Sequence, residues 1–170
     1  MKGRRSTSLY AAYGSNLHPR RLRERIKSAT LRGTGFLQKY TLQFHKRGQD
    51  LSAKCGFSNC GQGMHVAVYE IDDADRGILD GIEGVGRGYD VDEINVPGFG
   101  KCFTYVAAHT HIDDLLHPFD WYHEMVMLGC LTHAFPAAYC ERIAAVPVIE
   151  DPDPIRRNRN WRTVELLRRE

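Results

Sequence analysis

The chain has 170 residues, 42% hydrophobic and 26% charged, with a formal net charge of +2 at pH 7. That is one ordinary globular domain with enough chain for a substantial core, and too little net charge to imply a nucleic-acid partner. No apolar run approaches the roughly 20 residues that span a bilayer, and the basic start Met1-Lys2-Gly3-Arg4-Arg5 lacks the apolar stretch of a signal peptide.

In chain order, residues 1–7 read as a disordered lead-in. Leu9-Tyr10-Ala11-Ala12 predicts a buried strand over 8–13, which stops at Tyr13-Gly14-Ser15-Asn16 and gives way to a basic helix over 19–26 opened by Pro19. Such a strand-to-helix turn leaves backbone N–H groups pointing outward, an anion nest that Gly14 allows a ligand to approach closely. Residues 31–36 and 40–44 read as strands, the second with Tyr40, Leu42 and Phe44 on one face. The glycine-rich stretch 48–63 reads as an irregular loop, and the β-branched run 64–71 as the central strand. Asp72 or Asp73 then caps a short helix ending at Gly81 or Gly84.

Residues 89–96 and 101–108 flank Pro97-Gly98-Phe99-Gly100 as an antiparallel hairpin. A polar loop over 109–120 leads to a helix over 121–132, with Tyr122, Met125, Val126 and Gly129 near one face, and Pro136 opens another helix to Ala145. Asp151-Pro152-Asp153-Pro154 breaks structure before a basic tail, so 152–170 is expected to be flexible. The basic clusters at 20–27 and 156–169 read as solvated faces and tail. Five cysteines, an odd number without a Cys-x-x-Cys pair, read as reduced thiols in a cytoplasm. The pattern predicts one α+β domain over 1–170, a compact, largely antiparallel sheet or barrel.

Glu83 sits between a helix end and the run Gly84-Val85-Gly86-Arg87-Gly88, whose glycines keep the space around its carboxylate open. Held against Ile82 and Val85, that carboxylate is expected to have a raised pKa and to shuttle a proton.

Together, Tyr13-Gly14-Ser15-Asn16-Leu17, then Leu79-Asp80-x-x-Glu83-Gly84-Val85 with Gly88-Tyr89 entering a strand, and finally Tyr122, Met125, Val126, Gly129 and Pro136 resemble the γ-glutamylcyclotransferase family over residues 8–146. The resemblance implies a small mixed, mainly antiparallel β-barrel with packed helices. It also implies a reaction in which a γ-glutamyl amino acid, peptide or amine cyclises to 5-oxoproline and releases the amine. By the same resemblance Glu83 is the catalytic acid–base. The 13–17 loop (Tyr13, Gly14, Ser15, Asn16, Leu17) holds the substrate anion, and Tyr122 orients the glutamyl group. Tyr10 and Tyr89 read as core or lining aromatics. Where many relatives carry an arginine two residues beyond that second tyrosine, this chain has Val91; either Arg87 stands in, or the substrate's tail needs no cation. Nucleophile and electrophile share one molecule, so no metal or cofactor is expected, and the expected partner is a small γ-glutamyl compound.

Two other readings come from the residues. His109-Thr110-His111-Ile112-Asp113-Asp114 is one histidine short of a metallo-hydrolase ligand run, and His109, His111 and Asp113 would be its ligands, helped by His117, His123 or His133. A non-enzymatic module could use the same anion nest and would have no need of Glu83.

Overall fold

The computed structural model describes residues 5–169, which form β1 (Thr7–Ala12), α1 (Pro19–Arg25), β2 (Thr30–Leu37), β3 (Thr41–Arg47), β4 (Ala53–Ser58), β5 (Met64–Asp72), α2 (Asp73–Glu83), β6 (Tyr89–Val96), β7 (Gly100–Ala107), α3 (Asp120–Thr132), α4 (Ala137–Ala144) and α5 (Pro154–Arg168). β5 is the buried spine: Met64, Val66, Ala67, Val68, Tyr69 and Ile71 are inaccessible to solvent, as its near-continuous apolar run requires of a strand covered on both faces. It pairs antiparallel with β1, from Thr7 opposite Asp72 to Ala12 opposite Ala67, and with β2 on its other side. β6 and β7 make the expected hairpin, closing with Val96 opposite Gly100, and β7 runs parallel to β1 where Tyr10 meets Phe103.

The five-stranded order is β2-β5-β1-β7-β6, with β3-β4 as a separate two-stranded sheet. The sheet curls until Val96 of one edge strand presses on Gly35 of the other; a Cβ on Gly35 would stand 2.4 Å from Val96 Cγ1. Among the described residues no hydrogen-bonded ladder joins β2 to β6, so the architecture is a mixed, mainly antiparallel α+β fold with a curled sheet. The residues suggest a sheet or barrel and the resemblance a barrel; no closed barrel is formed by the described residues.

Three expectations need correction. The loop foreseen over 48–63 contains β4, which pairs with β3 from Thr41 opposite Ser58 to Arg47 opposite Ala53. Its sequence, Ala-Lys-Cys-Gly-Phe-Ser, has little strand propensity, and the partner strand supplies what the residues do not. The flexible tail foreseen over 152–170 is instead α5 from Pro154 to Arg168, started by Asp153, whose side chain accepts from the N–H groups of Ile155 and Arg156. Of the lead-in foreseen over 1–7, residues 1–4 lie outside the described residues, and Thr7 already belongs to β1.

α5 lies against α3, with Val164 and Leu167 buried. The buried Asp151 clamps the approach: its carboxylate accepts from Trp121 Nε1 of α3 at 2.9 Å and from Arg156 Nε and Nη2 of α5 at 2.8 and 2.6 Å. α3 in turn sits tightly on the segment after β1, because a Cβ at Gly129 would fall 2.5 Å from Leu17 Cβ. That contact brings Tyr122, two turns earlier on α3, over the end of β1. No helix of the described residues is long and apolar enough to cross a membrane.

Candidate active site

β1 ends where the chain turns at Gly14-Ser15-Asn16, and Leu17 N–H closes the turn on the Gly14 carbonyl at 3.0 Å. Leu17 is fully buried, and its carbonyl accepts from Tyr69 Oη at 2.6 Å, which pins the turn to β5. Among the described residues no protein acceptor meets the N–H groups of Gly14, Ser15 or Asn16. Gly14 is required for packing: a Cβ there would stand 2.9 Å from Cys55 Cβ on β4. The missing side chain at Gly14 thus makes room for β4.

α2 delivers Glu83 to the same place. The helix stops at Gly84, whose φ of 77° is a left-handed cap that glycine adopts without strain, and Gly84 N–H returns to Asp80 O at 3.0 Å. Asn16 Nδ2 donates to Glu83 Oε1 at 2.8 Å, and Arg25 Nη1 of α1 donates to the same oxygen at 3.3 Å. Arg25 also reaches Asn16 Oδ1 at 3.1 Å, so the three side chains form a closed triangle. Asn16 Nδ2 is also within 3.1 Å of Tyr10 Oη. Ile82 and Val85, expected to shield the carboxylate, are 43% and 36% exposed. The neighbours of Glu83 are an amide and a guanidinium, not the apolar side chains the sequence suggested.

Beside Glu83 lies a cavity of about 20 Å³, walled by Tyr10, Tyr13, Tyr89, Tyr105 and Tyr122 and floored by Gly14, Ser15, Asn16 and Cys55. Leu17 does not line it. Its polar edges are fixed by backbone: Tyr13 Oη donates to Tyr105 O, Tyr89 Oη donates to Cys55 O, and Tyr122 Oη accepts from Cys55 N–H at 3.0 Å. Tyr105 Oη donates to Asp80 Oδ1 at 2.7 Å, which ties the hairpin to α2. Burial raises the phenols of Tyr10, Tyr13, Tyr89 and Tyr122 far above their ordinary range, so these rings stay protonated and serve as hydrogen-bonding walls. Burial also pushes the Cys55 thiol up to about 12. A neutral thiol is a poor nucleophile.

Glu83, Ser15, Tyr89 and Tyr122 also border a second, open space of about 640 Å³. This cleft is lined by Arg21 and Arg25 of α1, Lys46 of β3, Lys54 of β4, Arg87 of the turn after α2, and Arg156 and Arg159 of α5. Glu83 thus stands at the mouth between a tight cavity and a broad cationic cleft.

The histidine run goes elsewhere. His109–His111 is a short 3-10 turn, and Asp113 Oδ1 accepts from Leu115 N–H at 3.0 Å. His123 and His133 are each engaged with a backbone carbonyl, of Ile143 at 2.8 Å and Leu17 at 2.6 Å. Among the described residues no three histidine, cysteine or carboxylate side chains are placed to hold a metal ion, so the metallo-hydrolase reading has no assembled ligand set.

Sequence reasoning missed the Asn16 amide, Arg25 and the cleft-lining cations other than Arg87. A signal for Arg25 was present, since it lies one helical turn after Arg21 on the face opposite the exposed Arg23 and Glu24. Nothing in the order of residues brings Lys46 and Arg159 to α1.

The chain has the fold of the γ-glutamyl cyclotransferases. A solved γ-glutamyl cyclotransferase superposes with a TM-score of 0.83 at 22% identity, over 95% of this chain and 99% of its own. The uncharacterized protein loc79017 from Homo sapiens superposes with a TM-score of 0.80 at 23% identity, over 94% and 98%. YkqA from Bacillus subtilis matches at 0.71 and 18% identity, over 85% of this chain and 56% of its own. No protein-family model and no curated protein matches the sequence.

Proposed function

We propose that this protein is an enzyme that cyclises a small γ-glutamyl compound to 5-oxoproline and releases the amine carried on the γ-carbonyl. The observation that carries the reading is the position of Glu83, a single carboxylate at the mouth between the tyrosine-walled cavity and the cleft. In this reading the glutamyl group lies in the cleft at the mouth of the cavity, against Ser15, Tyr89 and Tyr122, with its carboxylate turned toward the N–H groups of Gly14, Ser15 and Asn16. The leaving amine projects into the cleft.

Glu83 takes a proton from the substrate α-amine as its nitrogen attacks the γ-carbonyl carbon. The new N–C bond closes the five-membered lactam. The amide C–N bond then breaks while Glu83 returns the proton to the departing nitrogen, so the carboxylate ends as it began. Tethering nucleophile and electrophile in one molecule lowers the barrier further. Asn16 and Arg25 hold the carboxylate oxygen in place between the two nitrogens.

The test is incubation of the purified protein with a panel of γ-glutamyl amino acids and amines, reading 5-oxoproline by mass spectrometry. Formation of 5-oxoproline with stoichiometric free amine supports the reading. Binding of these compounds without turnover would instead identify a non-catalytic anion-binding module.

A further inference from the structure

Resting on that reading, we propose that the amine released by this enzyme carries at least two negative charges, as an acidic amino acid does, and that the cationic cleft is its binding site. The charge balance of the cleft is the first ground. Three of its cations have carboxylate partners: Lys54 pairs with Asp50 at 2.8 Å, Arg156 with Asp151 at 2.6 Å, and Arg25 with Glu83 at 3.3 Å. Arg21, Lys46, Arg87 and Arg159 make no ion pair among the described residues, and the cleft offers no carboxylates besides Asp50 and Glu83.

Burial is the second ground. Lys46 is only 6% exposed, and its ammonium lies 4.5 Å from the centre of the Tyr89 ring, on the wall shared with the cavity. Arg21 Nε is buried with no hydrogen-bond partner, and Arg21 stands one turn before Arg25 on α1, a like-charge spacing that disfavours both. A buried cation with no carboxylate within ion-pair distance is costly to keep, and an anionic ligand offsets that cost. Convergence is the third. The basic runs at 20–27 and 156–169, far apart in sequence, both contribute to one concave space of about 640 Å³, ample for an amino-acid side chain. A single α-carboxylate leaves most of these cations unmatched, and a second anionic group answers them.

The experiment compares γ-glutamylglutamate with its near-isostere γ-glutamylglutamine, and adds γ-glutamyl-O-phosphoserine to separate carboxylate from phosphate as the second charge. The expected result is a kcat/KM for the glutamate compound about ten-fold or more above the glutamine compound, the size of one charge-assisted contact. That advantage should shrink as KCl is raised. Arg159→Glu, on an exposed helix face, and Lys46→Gln should both narrow the ratio. A faster phosphoserine compound would assign the second charge to phosphate and support the proposal. Equal rates for glutamate and glutamine tails, or an unchanged ratio in folded Arg159→Glu and Lys46→Gln, would overturn the acidic-tail inference while leaving the cyclisation standing. Absence of 5-oxoproline from every compound would overturn the cyclisation itself and the inference with it.

Discussion

Asn16 and Glu83, 67 positions apart in sequence, share a hydrogen bond of 2.8 Å that fixes the only carboxylate, among the described residues, bordering the tyrosine-walled cavity. The bond makes the turn after β1 and the end of α2 one unit. It also defines what a substitution at position 83 must preserve. Glu83→Gln keeps an oxygen for Asn16 and nearly the same volume but cannot take up a proton. Its expected effect is a loss of about 10²-fold or more in kcat with the folded state intact. Release of 5-oxoproline at near wild-type rate by the folded variant would remove Glu83 from the acid–base role.

Arg25 holds the same oxygen as the third member of the triangle. Arg25→Met retains much of the stem and removes the donor, leaving Glu83 on Asn16 alone. kcat should fall about ten-fold, the size of a lost hydrogen bond to a charged group. Positioning rather than loss of the fold predicts partial recovery in Arg25→Lys, with an unchanged melting temperature. A variant whose kcat matches wild type would show that the triangle does not orient the carboxylate.

Gly14 and Ser15 separate packing from ligand contact. Gly14→Ala forces a methyl to within 2.9 Å of Cys55 Cβ and should destabilise the protein by about 1–3 kcal/mol, the range of an overpacked core. Ser15→Ala removes a hydroxyl and spares the N–H, so its kcat/KM should fall no more than about ten-fold and its melting temperature should hold. Thermal unfolding of both proteins decides the matter; a Gly14→Ala protein as stable as wild type would mean that β4 yields at this point.

The Asp151 clamp gives a pH signature. Hydrogen bonding from Arg156 holds the buried Asp151 carboxyl at about 2 in the folded protein, against an ordinary 3.8. A carboxyl depressed by folding adds stability that is fully present above its unfolded value. It is lost as pH falls from about 4 through about 2, and amounts to roughly 2 kcal/mol. Asp151→Asn should therefore lower stability at neutral pH and flatten its dependence between those pH values, measured by urea unfolding at several pH settings. Parallel curves for the two proteins would contradict the assignment.

Periodicity and punctuation made most of the fold legible. The apolar run of β5, the Pro97–Gly100 hairpin and the helix face of Tyr122, Met125, Val126 and Gly129 are local patterns, and local patterns are readable. β4 was hidden because its residues favour no strand, and its pairing partner lies outside the window of any local signal. α5 was hidden by its composition: arginines crowd it and its buried residues, Val164 and Leu167, come late. At the site, the residues suggested for catalysis and binding do meet around one cavity, apart from Leu17, which anchors the turn from below. The surroundings of Glu83 were misjudged because sequence neighbours stood in for spatial ones; Ile82 and Val85 are exposed while Asn16 and Arg25 come from parts of the chain 67 and 58 residues earlier.

α5 closes the cleft without touching the tyrosine cavity. If the proposed reaction holds, the α5 share of the cleft is separable from Glu83 and the turn that holds it. Substitutions along one terminal helix can retune which compounds are accepted while Glu83 and its turn go undisturbed. For an engineer this is a single contiguous segment to randomise, and for a lineage it is a cheap route to new substrates on an old reaction.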